Sequence, residues 1–160
     1  MQERLIKPFI PADADWVITR HAALYASDEG YDASFVALVA QIVADFVAAQ
    51  PADGANGWIA WHGEQRQGCV FVVQEAPTVA KLRLFLVEPD SRGTGLAQRL
   101  LETALGFSRD SGYKDMRLWT HESHAAAGRL YARNGFSLVE STKNRAFGCD
   151  VVDQIWHRKL

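Results

Sequence analysis

A turn with two glycines joins two segments of opposite character near the middle of the chain. The apolar segment Leu82–Val87 predicts a strand, which Pro89 stops, and the amphipathic segment Leu96–Ser108 predicts a helix. The first N–H groups of a helix have no intrahelical acceptor, and the helix dipole adds partial positive charge there. Because glycine lets a ligand approach the backbone closely, the turn Arg92–Ala97 predicts a site for a pyrophosphate or a similar anion.

The spacing of apolar residues predicts the remaining elements. Short apolar runs between turn residues predict strands at Leu5–Ile10, Trp58–Trp61, Cys69–Val73, Leu82–Val87, Met116–Thr120, Phe136–Glu140 and Val151–His157. Helical spacing predicts helices at Ala14–Ala26, Phe35–Phe46, Leu96–Ser108 and Ala125–Arg133, with Asp13 and Ser34 as caps of the first two. The order favours an α/β (α+β) fold, with a mixed, mostly antiparallel central sheet of about seven strands and helices on both faces.

Length and charge narrow the class of protein. The 160 residues suffice for one domain with its own core, so we expect a single domain over residues 1–160. The 17 Lys and Arg residues against 19 Asp and Glu residues give a formal net charge of -2. This balance lacks the basic footprint of a nucleic-acid-binding protein, and we expect no nucleic-acid partner.

Cysteine usage and hydropathy indicate the compartment. The two cysteines, Cys69 and Cys149, do not make a disulfide framework, and Cys69 is expected to be a buried thiol. The chain start, Met1–Arg4, lacks the apolar core of a signal peptide, and no apolar run approaches the roughly 20 residues of a membrane span. We therefore expect a soluble cytoplasmic protein with no membrane partner.

Two common phosphate-binding motifs do not fit the glycine turn. A P-loop needs a Lys followed by Ser or Thr after its second glycine, and Leu96 and Ala97 stand there instead. A dinucleotide fingerprint needs a third Gly or Ala at position 98, which is Gln98, and it opens a leading βαβ unit, which this turn does not. The anion therefore belongs to a different class of ligand.

Two motifs lie in order on either side of a predicted strand. The turn reads Arg-Gly-Thr-Gly-Leu-Ala at Arg92–Ala97, and Leu130–Phe136 reads Leu-Tyr-Ala-Arg-Asn-Gly-Phe. They resemble the R/Q-x-x-G-x-G/A and L-Y-x-x-x-G-F motifs of the GCN5-related N-acetyltransferases, the GNAT family. The resemblance covers nearly the whole chain and implies the GNAT fold of acyl-coenzyme A N-acyltransferases.

Four shorter segments resemble a subgroup of that family. Leu82–Leu84, Leu118–Thr120, Phe147–Gly148 and Gln154–Trp156 are similar to the acetyltransferase half of proteins that fuse it to a MarR-type regulator. No winged-helix segment is present here, so the resemblance does not carry over DNA binding.

The resemblance implies acetyl-coenzyme A (acetyl-CoA) as co-substrate. Its implied binding residues are Leu86, Val87, Arg92, Gly93, Thr94, Gly95, Leu96, Ala97 and His124. The backbone of Leu86 and Val87 would pair with the pantetheine arm, and an N–H near Val87 would face the thioester carbonyl. The turn would hold the pyrophosphate, and His124 stands where many relatives carry an Asn that contacts the coenzyme.

The same resemblance implies the catalytic residues. Tyr131 matches the general acid that protonates the departing thiolate, although a core tyrosine explains it as well. Relatives often place a carboxylate base on the fourth strand, whereas this chain has Lys81 and Arg83 near those positions. His121 closes the fifth strand, and histidine titrates near neutral pH, so His121 is the candidate base; a histidine of a turn is the alternative.

The segment between the first two helices walls the acceptor site in this family. It carries Tyr25, Glu29 and Tyr31, which we expect in a loop. Aromatic rings beside a carboxylate suit a cationic amine through cation–π and ionic contacts, but a solvated helix connection explains the segment equally well.

The resulting hypothesis is an N-acetyltransferase that moves the acetyl group of acetyl-CoA to a primary amine of a small molecule, by direct attack in a ternary complex. Two alternatives stay open: acetylation of a protein amine, and a non-catalytic acyl-CoA-binding sensor. No metal is expected, because His21, His62 and His157 show no metal spacing. A homodimer is left open.

Overall fold

The structure, a computed structural model, describes residues 4–160, so most of Met1–Arg4, on which the signal-peptide expectation rests, lies outside the described residues. Its strands are β1 (Arg4–Pro8), β2 (Asn56–His62), β3 (Gln65–Ala76), β4 (Val79–Val87), β5 (Asp115–His121), β6 (Ser137–Ala146) and β7 (Cys149–Lys159). Its α-helices are α1 (Ala14–Glu29), α2 (Ala33–Ala49), α3 (Leu96–Asp110) and α4 (Ala125–Arg133), and short 3-10 turns occupy Pro11–Asp13 and Pro89–Ser91. Across residues 4–160, none of the helices combines the length and apolar composition that a membrane crossing requires.

The strands form one mixed sheet. Their order is β1-β2-β3-β4-β5-β7-β6. The pairs β1–β2, β2–β3, β3–β4 and β6–β7 are antiparallel. Neighbouring β4 and β5 are joined through α3, which is the kind of connection that a parallel pair needs. The predicted order of elements and the mixed, mostly antiparallel sheet are confirmed.

The chain divides into two compact units. The first comprises the residues up to Ile10, Ala52–Arg117 and Lys159–Leu160, and the second comprises Pro11–Pro51 and Leu118–Arg158. The glycine turn belongs to the first unit. The predicted acid, base and acceptor residues all belong to the second.

In the first unit, α3 packs on β2, β3 and β4. The helix buries one face, formed by Leu96, Leu100, Leu101, Ala104, Leu105 and Ser108. Each fully buried leucine stabilises the fold by roughly 1.5–3 kcal/mol, so the start of α3 at Leu96 is held firmly. Cys69 lies fully buried on β3 as a free thiol, which confirms the expectation for this residue.

In the second unit, α1 packs on α2. Asp13 occupies the predicted N-cap position of α1, but its side chain makes no capping hydrogen bond to the first turn. The predicted cap of α2 is wrong: Asp32, not Ser34, caps the helix, and its Oδ1 accepts from the Ser34 N–H at 2.9 Å. The acceptor must precede the N–H groups that it binds, and Ser34 already lies inside the first turn.

The last two strands are longer than predicted. β6 runs to Ala146 rather than to Glu140, because its mostly exposed, polar residues are held by antiparallel pairing with β7 and not by an apolar pattern. Phe147 and Gly148 form the two-residue hairpin turn, with φ of 56° and 77°. Positive φ at both positions is the signature of a type I′ turn, whose twist matches that of the flanking strands.

Candidate functional site

The glycine turn opens α3 in the conformation that its sequence predicts. Gly93 and Gly95 have φ of 75° and 83°, and a Cβ added at either would have no other atom within 4 Å. Gly95 is the N-cap of α3, and the Arg99 N–H makes a hydrogen bond of 3.1 Å to the Gly95 carbonyl. The N–H groups of the first turn precede this bond and have no intrahelical acceptor. The turn therefore offers donors and open space together, which suits a phosphate group.

Hydrogen bonds of Ser91, Arg92 and Thr94 hold the backbone of the glycine turn in place. Ser91 is 1% exposed, and its hydroxyl donates to Gln67 Oε1 at 2.8 Å. The Arg92 N–H donates to the Pro89 carbonyl at 3.2 Å, and the Thr94 hydroxyl donates to the Ser91 carbonyl. These bonds fix the backbone that carries the exposed residues 92–95.

The strand before the turn contains a β-bulge. Register with β3 shifts between the pairs Phe71–Arg83 and Cys69–Leu86, so β4 carries one extra residue there. Leu84 lies in this bulge with a φ of 52°, a left-handed conformation that is strained for a leucine. A bulge bends the strand and re-aims the residues after it, which here are the predicted coenzyme-pairing residues.

Beyond the bulge, β4 continues along β3. Leu86 pairs with Cys69 and Val87 with Gly68, and a Cβ at position 68 would lie 2.8 Å from the Leu86 carbonyl oxygen. The Glu88 N–H donates to the Gln67 carbonyl at 2.8 Å. A glycine at position 68 therefore permits the close approach of β3 to the end of β4.

The positions where relatives often carry a base hold cations in this chain. Lys81 and Arg83 lie on β4, before the bulge. Burial, followed by the neighbouring Arg83 charge, lowers the pKa of Lys81. No carboxylate stands on β4, whose residues run from Val79 to Val87.

Tyr131 lies on α4 in the second unit and is 5% exposed. Its ring packs edge-on against Phe136, with centroids 5.6 Å apart, and beside Trp156 at 6.1 Å. Burial raises the pKa of Tyr131, and the nearby Tyr25 phenol adds to the rise. The phenol therefore keeps its proton at neutral pH, as a general acid must.

Six side chains of the second unit form a connected group, which we call the polar cluster: Glu29, Tyr31, Thr120, His121, His124 and Asp153. The Tyr31 hydroxyl contacts His121 Nδ1 and lies 3.2 Å from His124 Nε2. His121 Nε2 lies 3.0 Å from Asp153 Oδ1. The cluster thus places two imidazoles around one phenol.

His124 has both ring nitrogens engaged within this cluster. Its Nδ1 lies 3.1 Å from Thr120 Oγ1, and its Nε2 lies 3.5 Å from Glu29 Oε1 as well as close to Tyr31. Burial lowers the pKa of His124, and the nearby His121 lowers it further, while Glu29 and Asp28 oppose the change. The neutral imidazole is favoured, so its contact with Glu29 is an N–H facing a carboxylate oxygen.

Aromatic rings pack around the polar cluster. Tyr25 stacks on Tyr31 with centroids 5.7 Å apart and lies 5.2 Å from the His124 ring. Phe35 and Phe147 each lie about 5 Å from the Tyr31 ring. Burial raises the pKa of Tyr31, and Glu29 contributes, so this phenol also stays protonated at neutral pH.

The predicted acceptor loop is in large part helical. Tyr25 lies in the last turn of α1 and Glu29 is its final residue, which leaves Tyr31 in a connection of residues 30–32. Gly30 ends the helix at a φ of 74°, and its N–H donates to the Ala26 carbonyl at 3.1 Å. The predicted helix Ala14–Ala26 already contained Tyr25, but the expectation of a loop at Glu29 was wrong, because the glycine that ends a helix stands after its last turn.

The structure brings together five residues that the sequence selected for three different roles: Tyr25, Glu29, Tyr31, His121 and His124. Tyr25 further links this group to Tyr131 within the second unit, since its phenol influences the Tyr131 hydroxyl. His121 ends β5, as predicted. Predicted as a coenzyme contact, His124 lies within the same cluster as the predicted acceptor residues.

Two members of the polar cluster were not predicted, Asp153 and Thr120. Asp153 is the acidic residue of the predicted strand Val151–His157, and a charge inside a strand with apolar residues on both sides is a signal that could have found it. Thr120 carries no such signal, because a threonine on a strand is ordinary.

A sequence match identifies the family to which the chain belongs. Residues 53–138, more than half of the chain, match the family described as Acetyltransferase (GNAT) domain. The chain therefore belongs to the GNAT acetyltransferases.

Two relatives show how far the similarity extends. N-acetyltransferase 8B of Rattus norvegicus is 39% identical over 100 residues, which are 59% of this chain and 45% of that protein. Mycothiol acetyltransferase of Geodermatophilus obscurus is 29% identical over 91 residues, which are 53% of this chain and 30% of that protein. The chain spans less than half the length of these curated relatives.

Solved structures share the fold over almost the whole chain. An acetyltransferase of the GNAT family from Staphylococcus aureus has a TM-score of 0.81 at 14% identity and covers 99% of each chain. An acetyltransferase from Salmonella typhimurium, solved with its cofactor acetyl-CoA, has a TM-score of 0.76 at 19% identity and covers 98% of this chain and 94% of that one. The predicted GNAT fold is confirmed.

Proposed function

We propose that this chain is an N-acetyltransferase that transfers the acetyl group of acetyl-CoA to a primary amine of a small molecule. The observation that carries the proposal is the turn Arg92–Ala97, with its open space and the helix start behind it. Acetyl-CoA supplies a pyrophosphate for this turn and a thioester as the reactive group. Membership of the GNAT acetyltransferases supports the same activity.

In the first unit, backbone groups bind the co-substrate. The N–H groups at the start of α3 hold the pyrophosphate, and the strand end at Leu86 and Val87 holds the pantetheine arm. Ser91 keeps the turn in place through its bond to Gln67. Side-chain identity matters little for this binding, since the donors belong to the main chain.

In the second unit, side chains handle protons and the acceptor. Tyr131, buried and protonated, gives a proton to the departing thiolate. His121 serves the base side, and Tyr25, Glu29 and Tyr31 surround the acceptor amine. For His124 we keep the predicted contact with the coenzyme as a second role beside its place in the polar cluster.

The carboxylates of Glu29 and Asp153 favour an enzyme over a non-catalytic acyl-CoA sensor. Cations occupy β4, where relatives often carry the base, and a chain with no other proton acceptor would fit a sensor. Here α1 and β7 supply carboxylates beside two imidazoles. A proton acceptor is therefore present on other elements.

The remaining features of the proposal rest on sequence. Residues 1–160 form a single acetyltransferase domain, since the family match takes in parts of both units. The chain works in the cytoplasm, needs no metal, and belongs with the acetyltransferase half of the MarR-regulator fusions. A homodimer is compatible with all of this.

Thiol release from acetyl-CoA tests the activity. A panel of primary amines should include alkylamines, arylalkylamines, hydroxylamine and a peptide with a free N-terminus. We expect release with at least one small amine and none without an acceptor. Release with the peptide alone would favour acetylation of a protein amine, and coenzyme binding without any release would favour the sensor.

A further inference from the structure

Five groups of the polar cluster form an unbroken chain of hydrogen bonds. In order they are Asp153, His121, Tyr31, His124 and Thr120. The contacts measure 3.0 Å from Asp153 to His121, 3.2 Å from Tyr31 to His124 and 3.1 Å from His124 to Thr120, and Tyr31 contacts His121 directly. The residues lie on β7, on β5, in the connection between α1 and α2, and at the start of α4.

The donor and acceptor properties of the five groups fix the direction of the hydrogen bonds between them. A carboxylate only accepts, so His121 donates from Nε2 to Asp153 and leaves Nδ1 as the acceptor of the neutral ring. Nδ1 then accepts the single proton of the Tyr31 hydroxyl. Because that proton is used, His124 donates from Nε2, and this N–H is shared between the Tyr31 oxygen at 3.2 Å and Glu29 Oε1 at 3.5 Å.

The same rule continues to the far end. With Nε2 protonated, the neutral His124 ring offers Nδ1 as an acceptor, and the Thr120 hydroxyl donates to it. The Thr120 oxygen keeps lone pairs that accept a further proton donor. Every donor in the chain points toward Asp153.

The two ends have different surroundings. The Asp153 side chain is 38% exposed, whereas those of His121 and His124 are 13% and 17% exposed. The Tyr25 ring lies beside His124 and its phenol lies near Tyr131. The Thr120–His124 end therefore lies on the side of the proposed acid, and the Asp153 end meets solvent.

We propose that these five hydrogen-bonded side chains form a proton relay. It carries the proton lost by the acceptor amine from Thr120 to Asp153, and from there to water. This inference rests on the proposed function and names three further groups for it. Thr120 receives the proton, Tyr31 passes it between the two imidazoles, and Asp153 fixes the tautomer of His121 and accepts the proton at the end of the relay.

The transfer is balanced at each group. The acceptor enters as an ammonium ion; its proton goes to the Thr120 oxygen and leaves the neutral amine, and the Thr120 proton goes to His124 Nδ1. The proton on His124 Nε2 goes to the Tyr31 oxygen, and the Tyr31 proton goes to His121 Nδ1. The proton on His121 Nε2 goes to the Asp153 carboxylate, which releases it to water. One proton enters, one leaves, and no oxidant or reductant is needed.

Other titratable groups face the relay. Glu29 and Asp28 of α1 face His124, and both favour its protonated form. Glu29, Tyr25 and Cys149 face Tyr31, and the Ser123 hydroxyl lies near it. Burial opposes the charge on His124 more strongly than these carboxylates favour it, so the neutral ring that the relay needs is retained.

Replacing the middle of the relay tests it. Tyr31→Phe keeps the ring and removes the hydroxyl. With an alkylamine from the panel we expect kcat to fall by about 10²-fold and the KM for acetyl-CoA to stay unchanged. With hydroxylamine, which is neutral at the assay pH, we expect kcat within about threefold of the parent. Tyr113→Phe, which removes a hydroxyl bound to the Gly54 carbonyl in the first unit, is the matched control.

Two results would overturn the relay. One is a Tyr31→Phe enzyme that matches the parent with the alkylamine. The other is an equal loss with both acceptors, which would mean a structural role for the hydroxyl. If the parent enzyme releases no thiol with any amine, the proposed function fails first, and the relay loses its substrate with it.

The tautomers of His121 and His124 can be determined without any acceptor amine. Nitrogen-15 NMR of the parent protein should show both His121 and His124 protonated at Nε2 in their neutral forms. Asp153→Asn should remove this preference at His121, while Asp150→Asn, on the same strand and paired with Arg145, should not. Protonation of the parent His121 at Nδ1 would reverse the direction of the chain and overturn the proposal.

Discussion

The glycine turn and the polar cluster are built in opposite ways. The turn consists of six consecutive residues, Arg92–Ala97, whose main-chain N–H groups are the proposed ligands of the coenzyme. The polar cluster consists of six side chains from α1, the connection after it, β5, the start of α4 and β7. A site made of backbone tolerates many side chains, whereas a site made of side chains depends on each one.

This difference predicts different responses to substitution. A change in the turn should act on coenzyme binding and leave proton transfer alone, because the proposed role of the turn is to bind the coenzyme through its main chain. A change in the polar cluster should act on kcat, on the acceptor or on pH dependence, because we propose that its members hold and move protons. The following experiments compare the turn in the first unit with side chains of the second unit, beginning with the largest expected effect.

Gly95→Asp should weaken coenzyme A binding by about 100-fold or more, since it places a carboxylate at the helix start that holds the pyrophosphate. The fold should survive, because the new side chain enters open space and aspartate is among the residues that tolerate a left-handed φ such as the 83° at this position. Calorimetry measures the affinity. Gly112→Asp is the control, with the same added charge, a similar φ of 87° and open space at the other end of α3. Unchanged affinity in a folded Gly95→Asp protein would remove the turn from the site.

Tyr131→Phe should lower kcat by roughly 10²-fold or more and change the coenzyme affinity little. The substitution removes one oxygen and keeps the ring packed on Phe136 and Trp156. Steady-state kinetics and calorimetry separate the two quantities. A kcat within about twofold of the parent would make Tyr131 a core residue only.

The second unit should also lose stability in acid because of His21. Burial lowers the pKa of His21 to about 4, against an ordinary value of 6.5, although its ring contacts the Val17 carbonyl at 2.8 Å. The unfolded chain then binds a proton at higher pH than the folded chain, so stability falls as the pH drops from about 6.5 toward about 4.

We expect His21 to lower the free energy of unfolding by about 2 kcal/mol between about pH 7 and about pH 4.5. Urea unfolding at both pH values measures the loss. His21→Leu should reduce the loss and His62→Leu, at the end of β2, should keep it. An equal pH dependence in parent and His21→Leu would mean that the imidazole is not held neutral.

Glu29→Gln should have the smallest effect. If Glu29 binds a cationic amine, the acceptor KM should rise by about tenfold or less, and the KM for acetyl-CoA should stay the same. Glu102→Gln on α3 is the control for the loss of a carboxylate.

His121→Asn separates binding from base chemistry. Loss of the acidic limb of the kcat profile in His121→Asn, with Glu29→Gln kinetically silent, would reject Glu29 and favour the histidine. If neither variant changes the kinetics, the polar cluster has no part in proton transfer, and only the proposed role of the glycine turn would stand.

Several features could be predicted from sequence because they are local. The turn conformation follows from Gly93 and Gly95, and α4 has the bounds that its spacing predicts, Ala125–Arg133. The end of β6 could not be predicted, because the strand extends beyond its apolar residues through pairing with β7. The end of α1 was missed although its signal, the cap at Gly30, is local.

The sequence by itself determined the order of elements, the conformation of the glycine turn and the resemblance to the family, because each rests on residues that are neighbours along the chain. Only the tertiary structure decided that Tyr31 and His121, 90 positions apart, share a hydrogen bond and that Asp153 holds the other side of that imidazole. The physical reason is the distance along the sequence over which each kind of interaction acts. Backbone dihedral angles and helical periodicity act over a few residues, whereas the partners of a buried polar side chain depend on which strands and helices pack together.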